Sequence, residues 1–300
     1  MSALTQIKNR RNITNLTPFN LRTFLILMFF IPFISFGQTD YQKNDHVILH
    51  SQKTAGQYII DYEFKDHFRQ MVTVDLRFDR ALTDEMIGTF GVPKSMFEPF
   101  YPVDEVIRER ERVISNGLFR RDDNQIVVDK SAVVSYYAGY FCKPIADIVI
   151  TELRKREVDS RENRIEMAMK FVQDIPYGVP EWKEDQYFFG GVNVPPEILI
   201  HGFGDCDSKS IFFAGILCYL VKPEDIVFLG QEGHVLTAVQ SDILDGRTYY
   251  TLGDKSYVVA ETAGPGRPPF GDKGSNTQGS SFIEPLVFTG DRIDNPPLHP

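Results

Sequence analysis

Two stretches of the chain alternate apolar and polar positions with period two. In "GQYIIDYEF" the residues Tyr58, Ile60, Tyr62 and Phe64 fall on one side, and in "MVTVDLRF" Val72, Val74, Leu76 and Phe78 do the same. Such alternation marks strands with one buried face, and the short connection "KDHFRQ" predicts an antiparallel pair. From Ala81 to Asp129 short apolar pieces mix with "RERER" and "RRDDN", charge runs that read as a solvated helix or strand face. No chemistry attaches to this region.

From about residue 131 the period lengthens. Ile145, Ile148, Val149 and Leu153 share one helix face, and Ile165, Ala168, Met169 and Val172 follow at i, i+3, i+4, i+7. Asp159 and Glu162 have capping-box spacing before that second helix, and Pro176 ends it. The loop "YGVPEWKEDQYFFGGVNVPPEIL" carries the only tryptophan, Trp182, and is too aromatic for a disordered linker. It reads equally as a functional lid or as aromatic packing over a core. Later, "HVLTAVQ", "TYYTL" and "SYVVAE" are short strands punctuated by turn signals, and "FIEPLVF" is a candidate last strand in a Gly-, Pro- and Ser-rich tail.

Between these lies "HGFGDCDSKSIFFAGILCYL", polar in its first half and apolar in its second. Gly202 and Gly204 permit a sharp loop, Asp205 is a favoured N-cap, and the remainder continues as a helix apolar nearly all round. Cys206 then sits in the first turn of a buried helix, where unpaired N–H groups and the macrodipole favour thiolate. The flanking Asp205 and Asp207 oppose this, so a histidine partner becomes useful. His201 is close in sequence, but neighbours on one loop rarely face each other correctly; His234 opens a strand, a good place to aim a side chain at a helix terminus. Cys142 and Cys218 lie inside apolar runs and read as structural.

Composition narrows the class. With 300 residues, 42% of them apolar, the chain buries a real core, and its net charge of −9 lacks the basic surface that nucleic-acid binding requires. Lys8, Arg10, Arg11 and Arg22 precede "TFLILMFFIPFISF", an apolar run of about 14 residues broken by Pro32. That is short of the roughly 20 residues needed to span a bilayer, so it reads as a secretory signal cleaved near Gly37. An uncleaved anchor through residues 23–36 and a buried helix are the alternatives, and this segment is the only expected membrane contact. The protein is thus expected to be exported, periplasmic or extracellular. Three cysteines, an odd number without regular spacing, give no disulfide scaffold and leave at least one thiol free.

"PPEILIHGFGDCDSKSIFFAGIL", "GHVLTAV" and "YVVAETAGPGRP" occur in that order and together resemble the nucleophile, base and carboxylate blocks of the transglutaminase-like superfamily, in particular its bacterial transglutaminase-like cysteine peptidases. The resemblance spans roughly residues 140 to 270. It implies an α+β fold with a papain-like core, a nucleophile helix packed on an antiparallel sheet, preceded by a β-containing N-terminal region. It also implies a triad with Cys206 as nucleophile, His234 as base and Glu261 as orienting acid. The third position is often Asp in that superfamily, which keeps Asp254 in play as the alternative acid. Gln173 and Trp182, both upstream of the nucleophile, are candidates for the second oxyanion donor.

The expected organisation is a signal peptide at 1–37, an N-terminal region at 38–130, a transglutaminase-like catalytic domain at 131–270 and a tail at 271–300. The expected function is hydrolysis of protein or peptide amides through a thioester, without metal or cofactor. Cross-linking acyl transfer and a non-catalytic binding domain are the alternatives.

Overall fold

The structure, a computed structural model, describes residues 43–93, 103–122, 125–180, 188–189, 191–264, 266–274 and 282–290. The expected signal or anchor segment lies outside them. Among the described residues no helix is long and apolar enough to cross a membrane.

The chain is a mixed α+β protein with antiparallel sheets. It opens with strands β1 (Ile48–Lys53), β2 (Gln57–Lys65) and β3 (Met71–Asp79), an antiparallel meander in sequence order. The expected alternation holds in β2 and β3, where Tyr58, Ile60, Tyr62, Phe64, Val72, Val74, Leu76 and Phe78 are all buried. There follow α1 (Arg80–Thr89), the short strand β4 (Val92–Pro93), α2 (Asp104–Ile114) and the hairpin β5 (Phe119–Asp122) with β6 (Gln125–Val128). The "RERER" run lies in α2, where Glu109 and Arg112 pair on its exposed side.

Helices dominate the middle: α3 (Lys130–Tyr137), α4 (Lys143–Lys155) and α5 (Arg161–Gln173), then a short strand β7 (Phe188–Phe189) paired with β4, α6 (Pro195–His201) and α7 (Cys206–Leu217). A π turn at Ala138–Cys142 joins α3 to α4. Pro144 at the start of α4 has no N–H to donate into the preceding turn, and the wider turn relieves that mismatch. The cap of α5 is one residue later than the spacing implies: Ser160 accepts from the Asn163 N–H at 3.2 Å, while Asp159 forks onto Arg164 at 2.6 and 2.7 Å. A guanidinium in reach is a stronger partner for a carboxylate than a neutral N–H.

The C-terminal third forms a five-stranded antiparallel sheet from β8 (Ile226–Gln231), β9 (His234–Gln240), β10 (Tyr249–Leu252), β11 (Lys255–Ala260) and β12 (Phe282–Pro285), in the order β10-β11-β9-β8-β12. Helix α7 lies on one face of it, with Ser210 Oγ donating to the Val235 carbonyl at 3.1 Å. Ile226, Phe228 and Val239 point to that face; Val227, Leu229, Leu236, Ala238, Tyr257 and Val259 form a smaller cluster on the other.

The boundary expected at residue 130 does not separate two cores. Residues Tyr41–Pro300 form one compact unit, and one cluster of buried side chains runs from Val47 to Leu286. Tyr62 and Phe64 of β2 meet the Phe171 ring of α5 edge-on, and the Tyr62 hydroxyl donates to the Phe171 carbonyl at 2.7 Å. Helix α7 is apolar all round because other elements surround it: Phe212 meets Phe171, and at Gly215 a Cβ would come within 2.7 Å of the Cys142 sulfur. Replacing the fully buried Phe212 by Ala should therefore cost about 3–5 kcal/mol. The denaturation midpoint in urea should fall with the m-value unchanged.

Candidate active site

The loop before α7 fixes where its first residue sits. Gly202 closes α6 with φ of 75°. The Gly204 N–H donates to the Pro176 carbonyl at 3.2 Å, and its carbonyl accepts from the Gly178 N–H at 3.1 Å, a one-residue parallel bridge that lays Tyr177 alongside. Asp205 then caps the helix, accepting from the Ser208 N–H at 2.9 Å and the Ser208 hydroxyl at 2.5 Å. The same hydroxyl accepts from the Asn193 N–H at 2.8 Å. Cys206 is the first residue of α7 and is 7% exposed, so its sulfur meets the free N–H end of a buried helix.

His234 and Glu261 reach Cys206 from the sheet. His234 is the first residue of β9, after the tight turn at Gly233. Strand β10 lies outside β11 and runs in the same sense as β9, so β11 returns antiparallel to both, pairing Ala260 with Thr237 and Val259 with Ala238. That path delivers Glu261, just past β11, to the beginning of β9. The His234 Nε2–H donates to Glu261 Oε2 at 2.7 Å, and Glu261 Oε1 accepts from the Ala263 N–H at 2.8 Å. Cys206 lies near enough to the same imidazole to be the first cause acting on its titration.

The structure thus brings together Cys206, His234 and Glu261. Asp254 is exposed in the β10–β11 turn, and His201 is exposed at the end of α6. His46 pairs with the buried Asp174 at 2.7 Å and His67 meets Asn163 at 3.1 Å. All three cysteines are free thiols; Cys142 and Cys218 are buried in the core, and burial pushes the Cys142 thiol well up.

The His234 imidazole is pushed up to about 10, first by Cys206 and then by Glu261, against its partial burial. Burial also pushes the Asp205 and Asp207 carboxyls up.

Gln173 is not free to serve as an oxyanion donor. Its Nε2 donates to the carbonyls of Glu261 at 2.7 Å and Pro268 at 2.9 Å, and its Oε1 accepts from Lys170 Nζ at 2.9 Å. Trp182 lies outside the described residues. Tyr177, which the sequence pattern does not single out, lies near the Cys206 sulfur, and its phenol is pushed up chiefly by burial and next by the charge of Cys206. Its only sequence signal is its position, directly after the helix-ending Pro176 and before Gly178.

Comparison of the chain with protein-family models, curated proteins and solved structures finds no match.

Because the folded-state value of His234 lies above its unfolded value of about 6.5, its contribution to stability is fully present below that pH and is lost as pH rises through about 10. By NMR, the His234 ring should stay protonated well above neutrality. Cys206→Ala and Glu261→Gln should each bring its titration down, because each partner raises it both by hydrogen bonding and by charge.

Proposed function

We propose that the protein is an exported cysteine hydrolase of transglutaminase-like, papain-like type that cleaves protein or peptide amides through a Cys206–His234–Glu261 triad. The reading rests on one observation: an imidazole hydrogen-bonded to a buried carboxylate lies beside a thiol at the N-terminus of a buried helix, and that thiol is the first cause raising its titration. The order of the three sequence blocks supports it, and so does the nucleophile helix lying on an antiparallel sheet.

The chemistry follows from the parts. The thiolate of Cys206 adds to the amide carbonyl carbon, and the oxygen takes up the electron pair. We assign the Cys206 N–H at the start of α7 and the nearby Tyr177 hydroxyl as the donors to that oxyanion. As the intermediate collapses, the C–N bond breaks and the His234 imidazolium gives its proton to the departing amine. The acyl group stays on sulfur as a thioester. His234, now neutral, takes a proton from water; the hydroxide adds, the C–S bond breaks, and the products are the carboxylic acid and the free thiolate. Throughout, Glu261 holds the ring in one tautomer and offsets its charge.

Cleavage of an unstructured protein substrate, followed by mass spectrometry, tests the reading. Cys206→Ala should abolish turnover. Glu261→Gln should lower it on the order of a hundredfold, since a mis-set tautomer in a triad costs up to about 10⁴, while Asp254→Asn stays near wild type. Tyr177→Phe should lower kcat on the order of a hundredfold with little change in KM, the loss typical of one oxyanion donor. In the presence of a fluorescent primary amine, hydrolysis should dominate over incorporation. Dominant incorporation would make the protein a cross-linker, and an active Cys206→Ala would remove the proposal.

A further inference from the structure

One turn after Cys206, on the same helix, lies a lysine that the chemistry above does not use. Lys209 is completely buried. Its ammonium donates to the carbonyls of Ile175 at 2.7 Å, Ala263 at 2.8 Å and Gln173 at 3.5 Å. These carbonyls belong to two segments distant in sequence. Gln173 is the last residue of α5, Ile175 follows it just before Tyr177, and Ala263 lies two residues after Glu261. A buried cation is costly unless its donors are satisfied, and an ammonium has three donors to place.

The surroundings are shaped for that ammonium. Gly264 has φ of +76°, and a Cβ there would lie 3.3 Å from Lys209 Nζ and 3.2 Å from the Gln173 carbonyl oxygen. Beside it, Gln173 donates to the Glu261 carbonyl, and Lys170 Nζ donates to the carbonyls of Arg267 at 3.1 Å and Pro268 at 2.8 Å. The strand end that carries Glu261 is therefore tied at three points to α5 and α7. Burial pushes the Lys209 ammonium down to about 7, and Glu261 and Asp174 act in the opposite direction.

We infer that Lys209 is a positioning residue: by gathering the carbonyls of Gln173, Ile175 and Ala263 onto the helix that carries Cys206, it sets Glu261 and Tyr177 in register with the sulfur. The inference deepens the hydrolase reading and rests on it. Cys206 cannot shift relative to Lys209, because both belong to one helix, so the ammonium transmits the position of the sulfur to the acid and to the phenol. No substrate atom needs to touch it.

The test is the pH profile of Cys206 alkylation by iodoacetamide, with modified sites located by mass spectrometry and folding checked by circular dichroism. In the wild-type protein Cys206 should react faster than Cys142 and Cys218, because it alone lies at a helix N-terminus beside the His234 imidazole, while the other two stay buried in the core. Lys209→Met keeps the length of the side chain and removes the donors. It should lower the rate at pH 6 by about tenfold to a hundredfold, the loss that accompanies a misplacement of about 1 Å, with much less effect at pH 10. Gly264→Ala keeps the lysine but crowds its ammonium, and should shift the profile in the same direction by a smaller factor. It decides the matter should Lys209→Met fail to fold. A wild-type profile in either folded variant overturns the inference and leaves the hydrolase reading intact. A wild-type Cys206 that reacts no faster than Cys142 or Cys218 overturns the reading, and the inference falls with it.

Discussion

Everything distinctive about the site depends on one side chain having two partners. The His234 imidazole bonds Glu261 through Nε2 at 2.7 Å and has Cys206 beside it as the first cause raising its titration. A ring in this position is useful only if both partners arrive from fixed directions. The helix supplies one, because Cys206 is held at its first position by the Asp205 cap and the Ser208 and Asn193 bonds behind it. The sheet supplies the other, because the β9–β11 register decides at which end of β9 Glu261 emerges. A strand path with β10 directly beside β9 would have carried the carboxylate to the far end. Topology, rather than any local motif, makes the trio.

Behind the trio lie three buried polar side chains. Gln173, Lys170 and Lys209 spend their donors on backbone carbonyls of the segment that carries Glu261 and of the turn that precedes Tyr177. Polar networks of this kind stabilise a unique arrangement only when every member is satisfied, and they are costly when one is removed. On the N-terminal side, Asp174 adds the same kind of tie by accepting from Asn44 at 3.0 Å, from His46 at 2.7 Å and from the Lys65 N–H at 3.1 Å. The first sheet is in this way anchored to the end of α5, two residues from Tyr177's proline. A region in which the sequence shows no chemistry thus acts as a brace for the site.

What could be read from the chain beforehand divides along physical lines. The alternation in β2 and β3, the apolar α7 and the capping role of Asp205 depend on neighbours in sequence, and they are legible. The nearness of Glu261 to His234 rests on the resemblance of the three blocks rather than on turn signals, which fit equally a path with β10 directly beside β9. Strand β8 is not legible in the periodicity: buried along most of its length, it reads as a continuous apolar run that could as well continue the helix before it. Gln173 looks like a free donor in the sequence because nothing local reveals that its amide is occupied by carbonyls 88 and 95 residues away. Tyr177 is hidden for the converse reason, since a two-hydrogen-bond bridge to Gly204 gives it its place. Lys209 resembles an ordinary polar residue on a helix, and only its complete burial distinguishes it.

The central claim is that Cys206 forms a covalent bond with the carbonyl side of an amide. It is tested most directly by exposing the folded protein to a peptide that carries a thiol-trapping group in place of the scissile amide, then measuring intact mass and mapping the adduct. The account predicts one equivalent of probe, all of it on Cys206, and no adduct in His234→Ala under the same conditions. A probe found on Cys142 or Cys218, or labelling of Cys206 that is indifferent to the loss of His234, would contradict it.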